Sequence, residues 1–163
     1  MIRAFDHPSA RSSQVDPAAE AEEFCHRWKN DVFVFCRMLL GDGAAAETVT
    51  CEVLVTFYQE RGQRMSPPHE VLPRLLKLAM RAMERYRNGD FQASPSASRL
   101  EQAIQRLPPM ERAVVIMRNL MRLDWEALAL SNDLSRTEAH KVWVRAIAQL
   151  NELLQREFPK ENH

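Results

Sequence analysis

Arg136, Thr137, His140, Lys141 and Arg145 are separated by one, three, one and four residues, a spacing that places them along one side of a helix with Val144 and Ala148 beside them. That mixture suits a nucleic-acid groove. Arg and Lys pair with guanine or phosphate, a hydroxyl bonds to either, and small apolar groups meet the methyl of thymine. A second cationic row, Arg74, Lys77, Arg81 and Arg85, advances by three, four and four residues, with Arg61 and Arg64 shortly before it. Bond-making chemistry has no comparable grouping. The chain has no Gly-rich phosphate loop and no Ser/His/Asp or Cys/His motif in a recognisable context, and its 5 histidines are scattered. We therefore expect no enzyme, no cofactor and no metal site. Cys25, Cys36 and Cys51 form an odd set without a close pair, which reads as reduced core thiols in a cytoplasmic protein.

The elements that must position these residues are helical. A chain of 163 residues with only 4 Gly, few aromatics and abundant Ala, Leu, Arg, Glu and Met favours helix over sheet, and no apolar run approaches the ~20 residues of a membrane span. Met1 to Asp16 lacks the apolar stretch of a signal peptide. The net charge is zero, with 22 Lys and Arg against 22 Asp and Glu, so binding by bulk charge is excluded. Neutrality holds only on average. Residues 1–60 carry five cations against ten acids, whereas residues 61–90 carry seven against three, which suggests different surfaces facing different partners.

The hydrophobic pattern predicts two small helical domains. Residues 1–19 read as a disordered lead-in and 20–88 as a three-helix bundle. Residues 89–97 read as a flexible linker, 98–157 as a helix-turn-helix domain and 158–163 as a tail. The first helix carries Phe24, Trp28, Val32, Phe35 and Leu39, and Gly41-Asp42-Gly43 stops it. Asp42 caps the second, with Val49, Val53, Leu54 and Phe57 inward. The third runs from the Pro67-Pro68 pair to about Asn88, its start displaced a few residues by Pro73. Ser98-Arg-Leu-Glu101 and Ser135-Arg-Thr-Glu138 are capping boxes. Between them lie a helix from about Met110 to Arg122, a short helix from Asp124 through Leu130, and a turn at Ser131-Asn132-Asp133. In the last helix Ala139, Val142, Trp143, Ala146, Ile147 and Leu150 point inward, which leaves the five groove-type residues outside. Trp125 and Trp143 are expected in the core of the second domain and Trp28 in that of the first.

The order of these motifs resembles bacterial sigma factors of the compact extracytoplasmic-function class. Leu107-Pro108-Pro109-Met110-Glu111-Arg112, then Leu123-Asp124-Trp125-Glu126-Ala127-Leu128-Ala129, then Leu134-Ser135 and Arg145-Ala146 are similar to the family's region 4. Leu39-Leu40-Gly41-Asp42, Ala46-Glu47 and Glu52-Val53 are similar to its region 2, as is Leu75-Leu76-Lys77-Leu78-Ala79. The resemblance covers about residues 20 to 155. It implies a promoter-specificity subunit whose partners are core RNA polymerase, promoter DNA and an anti-sigma factor. Glu47 and Glu52 would meet the polymerase. Arg61, Arg64, Arg74, Lys77, Arg81 and Arg85 would meet the −10 element, and Arg136, Thr137, His140, Lys141 and Arg145 the −35 element.

The chain departs from the family at Thr48, where an Asp is usual, at Cys51, where a Gln is usual, and at Arg81 and Arg85 in the third helix. Two other readings follow. One is a sigma-like interaction protein that occupies an anti-sigma factor without full initiation activity. The other is a helix-turn-helix DNA-binding regulator acting through residues 98–157 alone.

Overall fold

The order of caps and apolar stripes along the chain produces seven α-helices in a computed structural model that describes residues 16–61, 66–86 and 97–157, and no strand occurs among the described residues. Helix α1, Pro17–Leu40, begins where the Asp16 carboxylate accepts the Ala18 N–H at 3.0 Å and Pro17 occupies the first helical position. This corrects the expected lead-in of 1–19: its last three residues are helical, because Asp16 and Pro17 form an N-terminal cap. The helix ends at Gly41, whose φ of 74° is left-handed and whose N–H returns to the Arg37 carbonyl at 2.9 Å. Helix α2, Gly43–Arg61, starts as expected with the Asp42 side chain accepting the Ala45 N–H at 2.7 Å.

Helices α1 and α2 pair through Phe24, Val32, Phe35, Val49, Val53 and Phe57, all buried, with Phe24 and Phe57 stacked at 5.6 Å. Helix α3, Pro68–Met83, closes this bundle with Leu75, Leu76, Ala79 and Met83, and a short 3-10 turn, Glu84–Tyr86, follows it. The expected late start is wrong here. Pro73 lies inside the helix and is buried, so its missing N–H costs one helical bond without displacing the beginning.

The second half starts with α4, Arg99–Gln105, whose Ser98 and Glu101 form the expected capping box. Helix α5, Pro109–Val115, then widens into a π-helical turn at Ile116–Leu120, with Met121 N–H bonded to the Ile116 carbonyl at 3.0 Å. The single helix expected to reach Arg122 therefore changes type at Ile116 and ends at Leu120, and Arg122 takes a left-handed φ of 58°. Helix α6, Trp125–Asn132, is capped by Asp124, which accepts the Ala127 N–H at 2.8 Å. Its last turn includes Ser131 and Asn132, both expected in a turn. Their side chains bond back to the Ala127 and Leu128 carbonyls, and only Asp133 leaves the helix, at φ 54°. Helix α7, Arg136–Glu157, completes the domain by burying Ala139, Ala146 and Leu150 against Val114, Ile116, Met117 and Leu128.

The two halves share an apolar core. Helix α3 lies on α6, and α1 touches α4, α5 and the π turn. A polar brace reinforces that contact. Four carbonyls at a helix C-terminus lack intrahelical partners, and two of those at the end of α1 are taken by the second half. The Arg112 guanidinium donates to the Leu39 carbonyl at 2.8 Å, and the Gln105 amide donates to the Met38 carbonyl. Arg112 also bonds the Gln105 and Leu107 carbonyls and the Gln105 side chain, and its burial lowers its pKa. The expected linker, 89–97, lies outside the described residues apart from Ala97, and the tail 158–163 lies outside them entirely.

Candidate nucleic-acid interface

Helix α7 is oriented from its first turn. Ser135 Oγ accepts the Glu138 N–H at 3.2 Å and the Glu138 carboxylate accepts the Ser135 N–H at 2.8 Å, the capping box expected there. The bonds from Ser135 hold the Glu138 carboxyl below the usual carboxylate range. Because the folded pKa is lowered, the contribution of Glu138 to stability is present above the usual carboxylate range and is lost as pH falls through the lowered value. Ser135→Ala should cost about 1 kcal/mol at neutral pH, or roughly 2–4 °C in Tm for a chain of this size. A thermal scan with the wild-type midpoint would show that this cap does not matter.

With the cap fixed, Arg136, Thr137, His140 and Lys141 are all exposed, Val144 is exposed beside them, and Ala139 opposite is fully buried. His140 lies against two indoles, 5.1 Å from Trp125 and 6.0 Å from Trp143. Trp143 packs partly on the core and donates its indole N–H to Asn119 at 2.9 Å, and Trp28 packs partly on the core of the first half. Trp125 departs from its expected core position. It sits half-exposed at the rim, with the Arg118 guanidinium 4.6 Å above its ring. Arg145 is also differently placed. It is turned to Glu111, a buried acid on α5, at 2.9 Å, so it braces α7 to α5 where a groove-facing cation was expected.

The second cationic row lies along α3 and is engaged within the chain. Arg74 pairs with Glu70 one turn earlier at 2.6 Å, and Arg85 pairs with Glu52 of α2. Lys77 donates to Asp133, the residue that closes α6, and Arg81 lies 3.9 Å from the same carboxylate. Arg61 is the last residue of α2, and Arg64 falls outside the described residues. Of the two acids expected to face a partner, Glu47 is exposed, whereas Glu52 is half-buried and held by Arg85. The bracing roles of Asp133, Glu111, Gln105 and Arg112 were not signalled by the sequence pattern, which placed Asp133 in the turn and Glu111 with Arg112 in the region 4 motif. The one available signal was Asp133 itself, an acid at the turn position usually filled by Gly.

The cysteines divide by depth. Cys36 is in the core, and burial pushes its thiol pKa up to about 12, which makes it inert as a nucleophile at neutral pH. Cys25 is half-buried and Cys51 exposed, which corrects the expectation of three core thiols; all three are free. Among the described residues no group of His, Cys, Asp and Glu is arranged to hold a metal ion, and no helix is long and apolar enough to cross a membrane.

No family model and no curated relative matches the chain. Among solved structures, the sigma factor RpoE of Bartonella quintana, in complex with the anti-sigma factor NepR, is similar. The TM-score is 0.66 at 16% identity, over 83% of this chain and 97% of that one. At this identity the likeness is one of fold. The chain has the all-α fold of a sigma factor, and the match takes in both halves.

Proposed function

We propose that this chain is a promoter-recognition sigma factor of the extracytoplasmic-function type, which binds core RNA polymerase in the cytoplasm and directs transcription initiation. The observation that carries the reading is the exposed set Arg136, Thr137, His140 and Lys141 on the capped helix α7 that follows the turn after α6, within a chain whose fold is similar to that of a sigma factor. In this reading the first turns of α7 enter the major groove at the −35 element. Arg136 and Lys141 meet phosphate or guanine, Thr137 bonds a base edge or phosphate, and Val144 offers an apolar contact. The α3 row of Arg74, Lys77, Arg81 and Arg85, with Arg61 and Arg64, serves the −10 element, and Glu47 with Glu52 meets the polymerase. An anti-sigma factor is the natural antagonist, since the solved relative in fold is held by one.

A second reading has its own support. Lys77, Arg81, Arg85 and Glu52, needed for DNA and polymerase, are all engaged inside the chain, which suits a sigma-like interaction protein that occupies an anti-sigma factor. Reconstitution separates the two. A sigma factor forms a complex with core polymerase and yields promoter-dependent transcript. A decoy binds an anti-sigma protein and gives neither complex nor transcript.

A further inference from the structure

We propose that Asp133 is an ionic latch that holds α6 against the basic face of α3, so that Lys77, the most covered cation of that face, meets nucleic acid only when the two halves part. The proposal rests on the reading of α3 as a nucleic-acid face. Asp133 stands at the C-terminal end of α6 in a left-handed conformation, φ 54° and ψ 37°, and its carboxylate meets α3 of the other half. Lys77 donates to one of its oxygens and Arg81 lies 3.9 Å from the other. The two cations are four residues apart and so share one side of α3. They also approach the negative end of the α6 dipole, which adds to the attraction.

Beside the ion pairs the two halves leave an open cleft of about 320 Å³ between them, lined by Leu78 of α3, Phe57 and Glu60 of α2 and Leu130 of α6 together with Lys77 and Arg81. The carboxylate therefore satisfies the Lys77 ammonium that a phosphate would otherwise compete for. Gly at this position would adopt the same backbone with less strain but would leave both cations uncompensated. The Lys77 side chain is 26% exposed and that of Asp133 64%, so the pair is partly solvated. A bond of that kind is strong enough to bias an equilibrium and weak enough for salt or a partner to release it.

The test uses the full-length chain and three readouts. A zero-length carbodiimide should join Lys77 to Asp133 within one molecule, and the yield should fall as salt rises. In hydrogen exchange, Asp133→Asn and Asp133→Gly should each raise opening of the α3–α6 interface by about twofold to fivefold, the factor that an exposed ion pair controls. The exchanged pair Lys77→Asp with Asp133→Lys should restore protection. Two variants with different backbone preferences guard against a merely misfolded turn. If the crosslink does not form and neither variant changes protection of α3, the latch is wrong. If the variants open the interface and binding of single-stranded DNA rises by a similar factor, both the latch and the function of α3 are supported. If the interface opens and DNA binding does not change, the latch stands and the nucleic-acid reading of α3 fails.

Discussion

Arg112→Ala should be among the most damaging single substitutions in the chain, costing about 3 kcal/mol. Each bond from a charged donor contributes about 1.5–3 kcal/mol, and bonds sharing one group add less than fully. One guanidinium satisfies the Leu39, Gln105 and Leu107 carbonyls and the Gln105 side chain. Its removal orphans acceptors at the end of α1, at the end of α4 and in the connection to α5, on both sides of the contact between the halves. For a chain of this length the loss corresponds to roughly 6–12 °C in Tm. Arg112→Lys should recover only part of it, because an ammonium does not reproduce the planar fork that reaches several carbonyls at once. Urea unfolding supplies a second readout. If Arg112 couples the halves, the variant should lose the single cooperative transition and show the two halves melting separately. An unchanged midpoint with one sharp transition would show that the apolar contacts alone hold the halves together.

That brace also marks where the sequence stops being informative. Helix limits were legible wherever local chemistry sets them. Asp42, Ser98 with Glu101, Asp124 and Ser135 with Glu138 each cap a neighbour three positions away, and the apolar stripe of α7 follows from a period that needs no distant partner. The π turn at Ile116–Leu120 was not legible, because no residue type signals it. The contacts between the halves were not legible either. Lys77 and Asp133 are 56 residues apart, Gln105 and Met38 67 apart, and Arg112 and Leu39 73 apart. Periodicity shows that α3 has a cationic side; it carries no information about which distant element meets that side. The same gap explains Arg145. Its helical position is outward by spacing, but the buried Glu111 on another helix captures it.

The division of the cationic residues into engaged and exposed sets leads to the second large effect. Arg136, Lys141 and Arg145 are all exposed on α7, but Arg145 is also paired with Glu111, so in the proposed function the phosphate contacts should rest on the first two. The paired substitution Arg136→Ala with Lys141→Ala should weaken binding of the full chain to duplex DNA by about sixtyfold at 0.1 M salt. Each released phosphate contact changes the slope of log affinity against log salt by about 0.9, which is roughly eightfold per contact between 1 M and 0.1 M. The slope should therefore flatten by about 1.8. Fluorescence anisotropy across a salt series measures both quantities. Arg145→Ala should behave differently. It leaves Glu111 buried without its partner and should lower stability more than it lowers the slope. If instead the slope is unchanged in the double variant and drops in Arg145→Ala, then Arg145 leaves Glu111 for the DNA, and the recognition surface lies further along α7 than its exposed first turns indicate.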